Sequence, residues 1–299
     1  MSKQGKFTVG LVQMAPRENP VASLERAIGA CEEAAVAGAQ VICLPELFRT
    51  PYFCRREDET AFDLAEPVPG PTTEALGAVA RRTGAVILAP VFERRTAGVY
   101  HNSVAVLDAD GSLAGVYRKM HVPDDPGFHE KFYFTPGDLG FPTFKTAHGS
   151  VAPLICWDQW YPEAARLATL GGAAILFYPS AIGWLPAEKE AEGQTQYDAW
   201  GTVQRAHAIA NGVYVAAVNR IGHETSPGEG QGIEFWGGSF LCDPRGIVVA
   251  QASHGGEEIL LGEVDLDRIE ATRRGWPFLR DRRIDAYDGL TRRLLDDRG

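Results

Sequence analysis

The sequence predicts an α/β protein, a layered sandwich of helices around mixed β-sheets. Short apolar runs typical of strands alternate with helical patterns along the whole chain. Several of these runs are apolar on nearly every residue, as expected for strands covered on both faces. Other strands are joined by the tight turns "DADG" and "CDPRG", so parallel and antiparallel neighbours must mix.

In the first half of the chain, proline and glycine mark the ends of the predicted elements. Pro20 suits the first turn of a helix, and Gly38 suits its C-terminal stop. The predicted elements, in order, are strand Phe7–Gln13, the helix from Pro20 to Gly38, strand Val41–Pro45, a helix over about 72–83, a strand at "AVILAPVFER" and a hairpin turning at Asp110-Gly111.

The second half continues the alternation. Helices are predicted at Pro162–Leu170 and Asp198–Asn211. "GEGQG" (Gly228–Gly232) is interpreted as a flexible loop because no strand precedes it, as a dinucleotide-binding fingerprint would require. Strands are predicted at "VAPLIC", "AAILFYP", "VYVAAVNR", "GGSFLCD", "GIVVAQA" and "EILLGEVD".

Composition excludes several classes of protein. The 299 residues are 45% hydrophobic and 23% charged without a linker-like stretch, which predicts one globular domain over residues 1–299. A net charge of −10 argues against a nucleic-acid partner. The chain has neither a secretory h-region nor an 18-residue uncharged apolar window, so no membrane partner is expected. Five scattered cysteines without a CxxC pair favour free thiols in the cytoplasm.

Cofactor motifs are missing from the sequence. It contains no GxxxxGK[ST] phosphate loop and no GxSxG elbow, and its seven histidines lack the spacing of metal ligands. We therefore expect neither a metal nor a cofactor, and we interpret the histidines as surface or packing residues.

Cys156 lies where the predicted strand "VAPLIC" gives way to a helix. The carboxyl ends of strands in open α/β sheets are common ligand sites, and backbone N–H groups in the following turn can hold an anion. Such a setting lowers the pKa of a thiol and stabilises an oxyanion. The alternative is a buried cysteine that packs as a small apolar residue. This stretch alone does not decide between the two.

Two further side chains follow predicted strands in the same way. Glu46 comes after "VICLP", and Lys119 comes after "VYR". If these strands are neighbours, their ends converge with Cys156 on one pocket that holds a nucleophile, a base and a cation. Taken singly, Glu46 could belong to a strand-terminating turn and Lys119 could be a solvated charge. The combination of all three favours a catalytic site.

These segments resemble the signature blocks of the nitrilase superfamily of carbon–nitrogen hydrolases. "LPELF", "YRKMHVPD" and "ICWDQWYPEAAR" are similar to three of its blocks, and "GFHEKFYFTPGD" is similar to the segment that carries a second glutamate, here Glu130. The resemblance covers nearly the whole chain. It implies a four-layer α-β-β-α sandwich and a homo-oligomer built from dimers, with the C-terminal segment from about 270 to 299 packing on a partner subunit.

The same resemblance implies a Glu46-Lys119-Cys156 triad supplemented by Glu130. In this chemistry Cys156 attacks a carbonyl carbon, and Lys119 with the backbone N–H of Trp157 holds the oxyanion. Glu46 takes and returns the proton, and Glu130 orients Lys119 or the substrate nitrogen. Among the superfamily, the blocks are most similar to the N-carbamoylputrescine amidase branch. This implies a small-molecule substrate, an N-carbamoyl amine, cleaved to amine, carbon dioxide and ammonia.

Candidate pocket residues lie around these blocks. Asp125 could meet a cationic substrate end, although aspartate before proline also commonly starts a turn. The segment Gly183–Gly193 looks unlike a fixed pocket wall, and we expect a lid there. The candidates for the walls, which could equally belong to the core, are Tyr52, Trp157, Trp160 and Ala181.

Other substrates and a silent protein are the alternatives. Hydrolysis of N-carbamoyl-β-alanine, as by a β-ureidopropionase, would need an arginine for the carboxylate; an aliphatic amidase or nitrilase would use the same thiol. A catalytically silent binding module would have lost Glu46, Lys119 or Cys156, and all three are present. The arginines available for a carboxylate are Arg49, Arg55, Arg56 and Arg205.

Overall fold

The computed structural model describes residues 5–225 and 232–296. The helices of this part are α1 (Pro20–Val36), α2 (Pro71–Thr83), α3 (Glu130–Tyr133), α4 (Pro162–Leu170), α5 (Pro186–Asn211) and α6 (Leu266–Gly275). Short 3₁₀ turns cover Phe53–Arg55, Glu59–Leu64, Cys156–Trp160, Ile284–Ala286 and Asp288–Thr291.

The strands are β1 (Lys6–Gln13), β2 (Val41–Cys43), β3 (Val86–Thr96), β4 (Val99–Leu107), β5 (Leu113–Arg118), β6 (Phe144–Thr146), β7 (Gly149–Pro153), β8 (Ile175–Ser180), β9 (Gly183–Trp184), β10 (Tyr214–Asn219), β11 (Ile221–Glu224), β12 (Ile233–Trp236), β13 (Phe240–Cys242), β14 (Val248–Gln251) and β15 (Glu258–Asp265).

Two six-stranded sheets form the centre of the molecule. Their strand orders are β15-β1-β2-β3-β4-β5 and β14-β13-β10-β8-β7-β6. In each sheet three central strands pair in parallel, and every further pairing toward the two edges is antiparallel, so both sheets are mixed, as predicted. A small third sheet has the order β11-β12-β9.

The sheets pack face to face, and helices cover their outer faces. In β2, Val41 and Cys43 belong to the apolar cluster between the sheets, whereas Ile42 belongs to the cluster under α1 and α2. Successive side chains of a strand point to opposite faces, so a strand buried on both sides is apolar at every position. On the other side, α4 and α5 cover the second sheet. The α-β-β-α sandwich is therefore confirmed.

Local sequence accounts for the boundaries of α1. The Asn19 side chain accepts hydrogen bonds from the backbone N–H groups of Val21 and Ala22, and Pro20 occupies the first turn. Gly38, just beyond the helix, has a φ of +104°, a conformation that glycine adopts without a steric penalty. The start and stop signals of this helix are thus read correctly from the sequence.

The structure corrects the sequence prediction in the second half. The strand before Cys156 ends at Pro153 rather than at the cysteine. Helix α5 begins at Pro186, twelve residues before Asp198, because a proline in the first turn starts it and packing of the buried Trp200 supports its later turns. The segment Gly183–Gly193, for which a lid is expected, forms β9 and the first turns of α5, and its movement as a lid stays a prediction.

Two further sequence predictions concern loops and membranes. The loop predicted at Gly228–Gly232 lies, apart from Gly232, outside the described residues. Within residues 5–225 and 232–296, no helix combines the length and the apolar character that crossing a bilayer requires.

Candidate active site

Glu46 and Lys119 meet at one edge of the first sheet, although the strands that carry them are not neighbours. Strands β3 and β4 lie between β2 and β5, so convergence does not require that the two strands be neighbours. Two successive antiparallel pairings after the parallel β2–β3 pair make β5 run in the same direction as β2. Their carboxyl ends therefore lie at the same edge, and Cys156 joins them from the segment that follows β7 of the facing sheet.

Lys119 lies between two carboxylates. Its Nζ donates to Glu46 Oε1 at 2.8 Å and to Glu130 Oε2 at 2.6 Å, and all three side chains are buried. Burial alone would lower the pKa of the ammonium, but the charges of Glu130 and Glu46 outweigh it and raise the pKa well above its usual value. Lys119 is therefore a permanent cation at neutral pH.

The two carboxylates have further hydrogen-bond partners. Asn102 Nδ2 donates to Glu46 Oε1 at 2.7 Å, and the backbone N–H of Ala181 donates to Glu46 Oε2 at 2.8 Å. The Tyr52 hydroxyl donates to Glu130 Oε1 at 2.9 Å. Asn102 was missed by the sequence analysis. Its signal was a run of three buried polar residues, His101, Asn102 and Ser103, within strand β4.

Strained backbone surrounds the nucleophile candidate and its base. Cys156 has a φ of +38° and Leu47, which follows Glu46, has a φ of +47°, both in the region that only glycine enters easily. Such conformations persist only when neighbouring contacts enforce them. For Leu47 the contact is Arg220, whose buried guanidinium donates to the carbonyls of Leu47 and Thr50.

The structure corrects the expectation of a lowered thiol pKa. Burial raises the pKa of Cys156 well above its usual value, and Glu46 adds to this, while Lys119 and the N–H of Ala181 oppose it. The thiol is therefore protonated at neutral pH. A base must remove its proton during attack. Glu46, whose charge acts on the sulfur and whose Oε2 accepts the backbone N–H of Ala181, stays the predicted base.

Cys156 opens into a cavity of about 510 Å³. All five predicted pocket residues line it, and their roles toward substrate stay predictions. Glu188 and Trp236 were missed, the first because Gly183–Gly193 was interpreted as a lid. Residues that line the cavity include Tyr52, Asp125, Phe128, Glu130, Cys156, Trp157, Trp160, Ala181, Leu185, Glu188 and Trp236.

Asp125 fits both of its sequence interpretations. The backbone N–H of Phe128 donates to the carbonyl of Asp125 at 2.8 Å, so residues 125–128 form a turn. The same aspartate lines the cavity. None of the four arginines considered for a carboxylate tail lines it. Arg49 instead pairs with Glu66, and Arg205 donates to the carbonyl of Gly246.

Fold and site together define a hydrolase class. The chain belongs to the carbon–nitrogen hydrolase family, whose model matches residues 8–274. The predicted superfamily membership is thus confirmed, as is the prediction of an enzyme that cleaves carbon–nitrogen bonds.

Individual relatives match nearly the whole chain. The chain is 43% identical to an N-carbamoylputrescine amidase of Solanum lycopersicum over 96% of each chain. It is 38% identical to a citrullinase of Francisella tularensis, over 95% of this chain and 98% of the relative. The crystal structure of a carbon–nitrogen hydrolase from Helicobacter pylori superposes with a TM-score of 0.94 at 46% identity, covering 97% of this chain and 100% of the other.

Proposed function

We propose that this enzyme hydrolyses the carbamoyl C–N bond of an N-carbamoyl amine with a positively charged far end, N-carbamoylputrescine being the substrate that the site suits best. The products are putrescine, carbon dioxide and ammonia. The observation that carries the proposal is the charge of the cavity beside Cys156.

That cavity presents negative charge at its mouth. Asp125 and Glu188 line it and are exposed, whereas Glu130 is already paired with Lys119. Among the described residues that line it there is no lysine or arginine. Tyr52, Trp157 and Trp160 add aromatic surface. Carboxylates and aromatic faces both attract an ammonium group, while a substrate that ends in a carboxylate finds no cation on these walls.

The first half of the proposed mechanism forms a covalent intermediate. Glu46 takes the proton of Cys156 as the sulfur attacks the carbonyl carbon of the urea. The oxygen becomes an oxyanion, which the Lys119 ammonium and the backbone N–H of Trp157 stabilise. The carbon–nitrogen bond to the terminal NH₂ then breaks. Glu46 returns the proton to this nitrogen, and ammonia leaves an S-carbamoyl enzyme.

The second half releases the thiol. Glu46 deprotonates a water molecule, which attacks the same carbon and expels the Cys156 sulfur, and Glu46 then returns the proton to that sulfur. The product is a carbamic acid, which loses carbon dioxide to give the free amine. Glu130 keeps Lys119 in place throughout, since it holds Nζ at 2.6 Å and is itself held by the Tyr52 hydroxyl.

An ammonia-release assay tests the proposed substrate. N-carbamoylputrescine is expected to show a kcat/KM at least tenfold above that of pentylurea, which has the same length without the charge, because an attraction of about 1.4 kcal/mol corresponds to a factor of ten. N-carbamoyl-β-alanine, citrulline, a simple amide and a nitrile complete the panel. A preference for a substrate that ends in a carboxylate would contradict the proposal.

Glu188→Gln gives the same test from the side of the enzyme. Loss of this carboxylate is expected to raise the KM for N-carbamoylputrescine by roughly threefold to tenfold with little change in kcat, since the ammonium lies away from the reacting carbon. The KM for pentylurea stays unchanged. Glu192→Gln, an equal change of charge on the same helix at a residue that does not line the cavity, is the matched control. Equal effects on both substrates would contradict the assignment.

The homo-oligomer remains part of the proposal. Its support is a set of exposed apolar side chains after α6, where the resemblance implies packing on a partner subunit. Sedimentation equilibrium tests it: a monomer at micromolar concentration would contradict it. The exposed side chains are Trp276, Phe278, Ile284, Leu290, Leu294 and Leu295.

The proposed location is the cytoplasm. Its support is the state of the cysteines, all five of which are buried free thiols.

A further inference from the structure

Asp158 is a fully buried carboxylate two residues after Cys156. Its Oδ2 accepts hydrogen bonds from the backbone N–H of Ile155 at 2.8 Å and from the Tyr117 hydroxyl at 2.6 Å. Its Oδ1 accepts from the backbone N–H of His121 at 3.1 Å and lies 2.8 Å from the Nδ1 of the same residue. The mechanism described above does not use this carboxylate.

The partners of Asp158 belong to two different segments. Tyr117 and His121 lie two residues before and two residues after Lys119, at the end of β5 in the first sheet. Ile155 and Asp158 itself flank Cys156 in the segment that follows β7 of the second sheet. The His121 ring also stacks on Tyr161 with ring centroids 3.7 Å apart and an interplanar angle of 5°, which adds a second contact between the two segments. The carboxylate of Asp158 thus links residues 117–121, here called the lysine segment, to residues 155–158, here called the cysteine turn.

We propose that Asp158 is a positioning residue that keeps Cys156 and Lys119 in a fixed position relative to each other. It enforces the left-handed backbone of Cys156 through the Ile155 N–H, and it holds the lysine segment through Tyr117 and His121. The proposal rests on the proposed function in one respect, that Cys156 attacks while Lys119 holds the oxyanion. The rate of attack falls steeply when the nucleophile and the oxyanion donor are displaced from each other. The hydrogen bonds of Asp158, which link the two residues, therefore affect the rate directly.

An asparagine cannot replace this carboxylate. Each oxygen of Asp158 receives one backbone N–H, that of Ile155 on Oδ2 and that of His121 on Oδ1. In either orientation, the NH₂ of an asparagine faces one of these donors, and a backbone N–H is left without an acceptor. Asp158→Asn therefore breaks the hydrogen bond to one of the two segments while it keeps the volume of the side chain.

Asp158→Asn is expected to lower kcat by about 10²-fold, as displacement by about 1 Å does, and to change KM by less than about threefold. Loss of stability alone would instead lower kcat and the folded fraction in proportion. Tyr117→Phe removes one of the bonds between Asp158 and the segment around Lys119, together with the acceptor for the Met120 N–H, while the bonds to His121 remain. This variant is expected to lower kcat by about tenfold. The double variant is expected to have the kcat of Asp158→Asn alone, because both changes disrupt the same link between the lysine segment and the cysteine turn.

Asp243→Asn is the matched control. Asp243 is an equally buried aspartate that accepts backbone N–H groups of Arg245 and Ile247 in the turn between β13 and β14, and it lines no part of the cavity. Its variant is expected to lose thermal stability and to keep the kcat of the wild type.

Two outcomes would overturn the proposal: a kcat within about threefold of wild type in folded Asp158→Asn, or additive effects of the two changes in the double variant. If Asp158→Asn fails to fold, Tyr117→Phe with unchanged kcat overturns it. Cys156→Ala, run beside these variants, separates the two proposals: an active Cys156→Ala enzyme refutes the proposed function, whereas an inactive one with fully active Asp158→Asn refutes only the role of Asp158.

Discussion

Cys156→Ala is expected to abolish ammonia release from every substrate of the panel while the chain stays folded. The sulfur is the nucleophile of the first step in the proposed mechanism, on which the later attack of water depends, and alanine offers no nucleophile in its place. Cys156 is small and 6% exposed at the end of the cavity, so its truncation leaves the strands and the Glu46-Lys119-Glu130 cluster in place. Activity is expected to fall below the detection limit, with an unchanged circular dichroism spectrum.

Cys242→Ala is the matched control for this loss. Cys242 is a buried thiol on β13, lines no part of the cavity and is expected to be dispensable for turnover. Iodoacetamide provides an independent readout by mass spectrometry. Because burial raises the pKa of the Cys156 thiol, the rate of its alkylation is expected to rise throughout the range from about pH 7 to pH 9. Residual turnover in Cys156→Ala would refute the central role of the sulfur.

Lys119→Ala is expected to lower kcat by about 10²-fold or more, as loss of an oxyanion donor does. The variant also leaves Glu46 and Glu130 buried without their shared cation. Breaking a buried ion pair in this way costs about 3–5 kcal/mol of folding stability. The measurements are steady-state kinetics and denaturant unfolding of the same preparation.

The loss of stability in Lys119→Ala is expected to depend on pH. Burial raises the pKa of Glu130, and removal of Lys119 takes away the charge that opposes this. A carboxyl group whose pKa is raised in the folded state binds more protons there than in the unfolded chain, so acidification favours folding. The gap between variant and wild type is therefore expected to be smaller at pH 5 than at pH 8.

Lys6→Ala is the control for this prediction. Lys6 forms an ion pair with Glu263 at the surface, far along the chain from the site, and its loss is expected to leave kcat and the unfolding midpoint unchanged. A kcat for Lys119→Ala within about tenfold of wild type would contradict an oxyanion role for the ammonium.

Patterns of local origin were predictable from the sequence. The alternation of apolar runs determines that strands such as β2 are buried on both faces. Pro20, Asn19 and Gly38 determine where α1 begins and ends. The start of α5 escaped prediction because polar residues and Gly193 weaken the helical pattern after Pro186. The contacts that keep these turns helical come from packing.

By itself, the sequence determined the class of this protein: a two-sided apolar core, and a glutamate, a lysine and a cysteine each placed after a strand. Only the tertiary structure decided how they meet. Two antiparallel pairings place Lys119 at the same end of the first sheet as Glu46, and Cys156 comes from the segment that follows β7 of the facing sheet. Three further features depend on residues far apart in the chain: the raised pKa of the Cys156 thiol, the acidic side chains at the cavity and the hydrogen bonds of Asp158. Burial and electric fields act through space, so they leave no local pattern in the sequence.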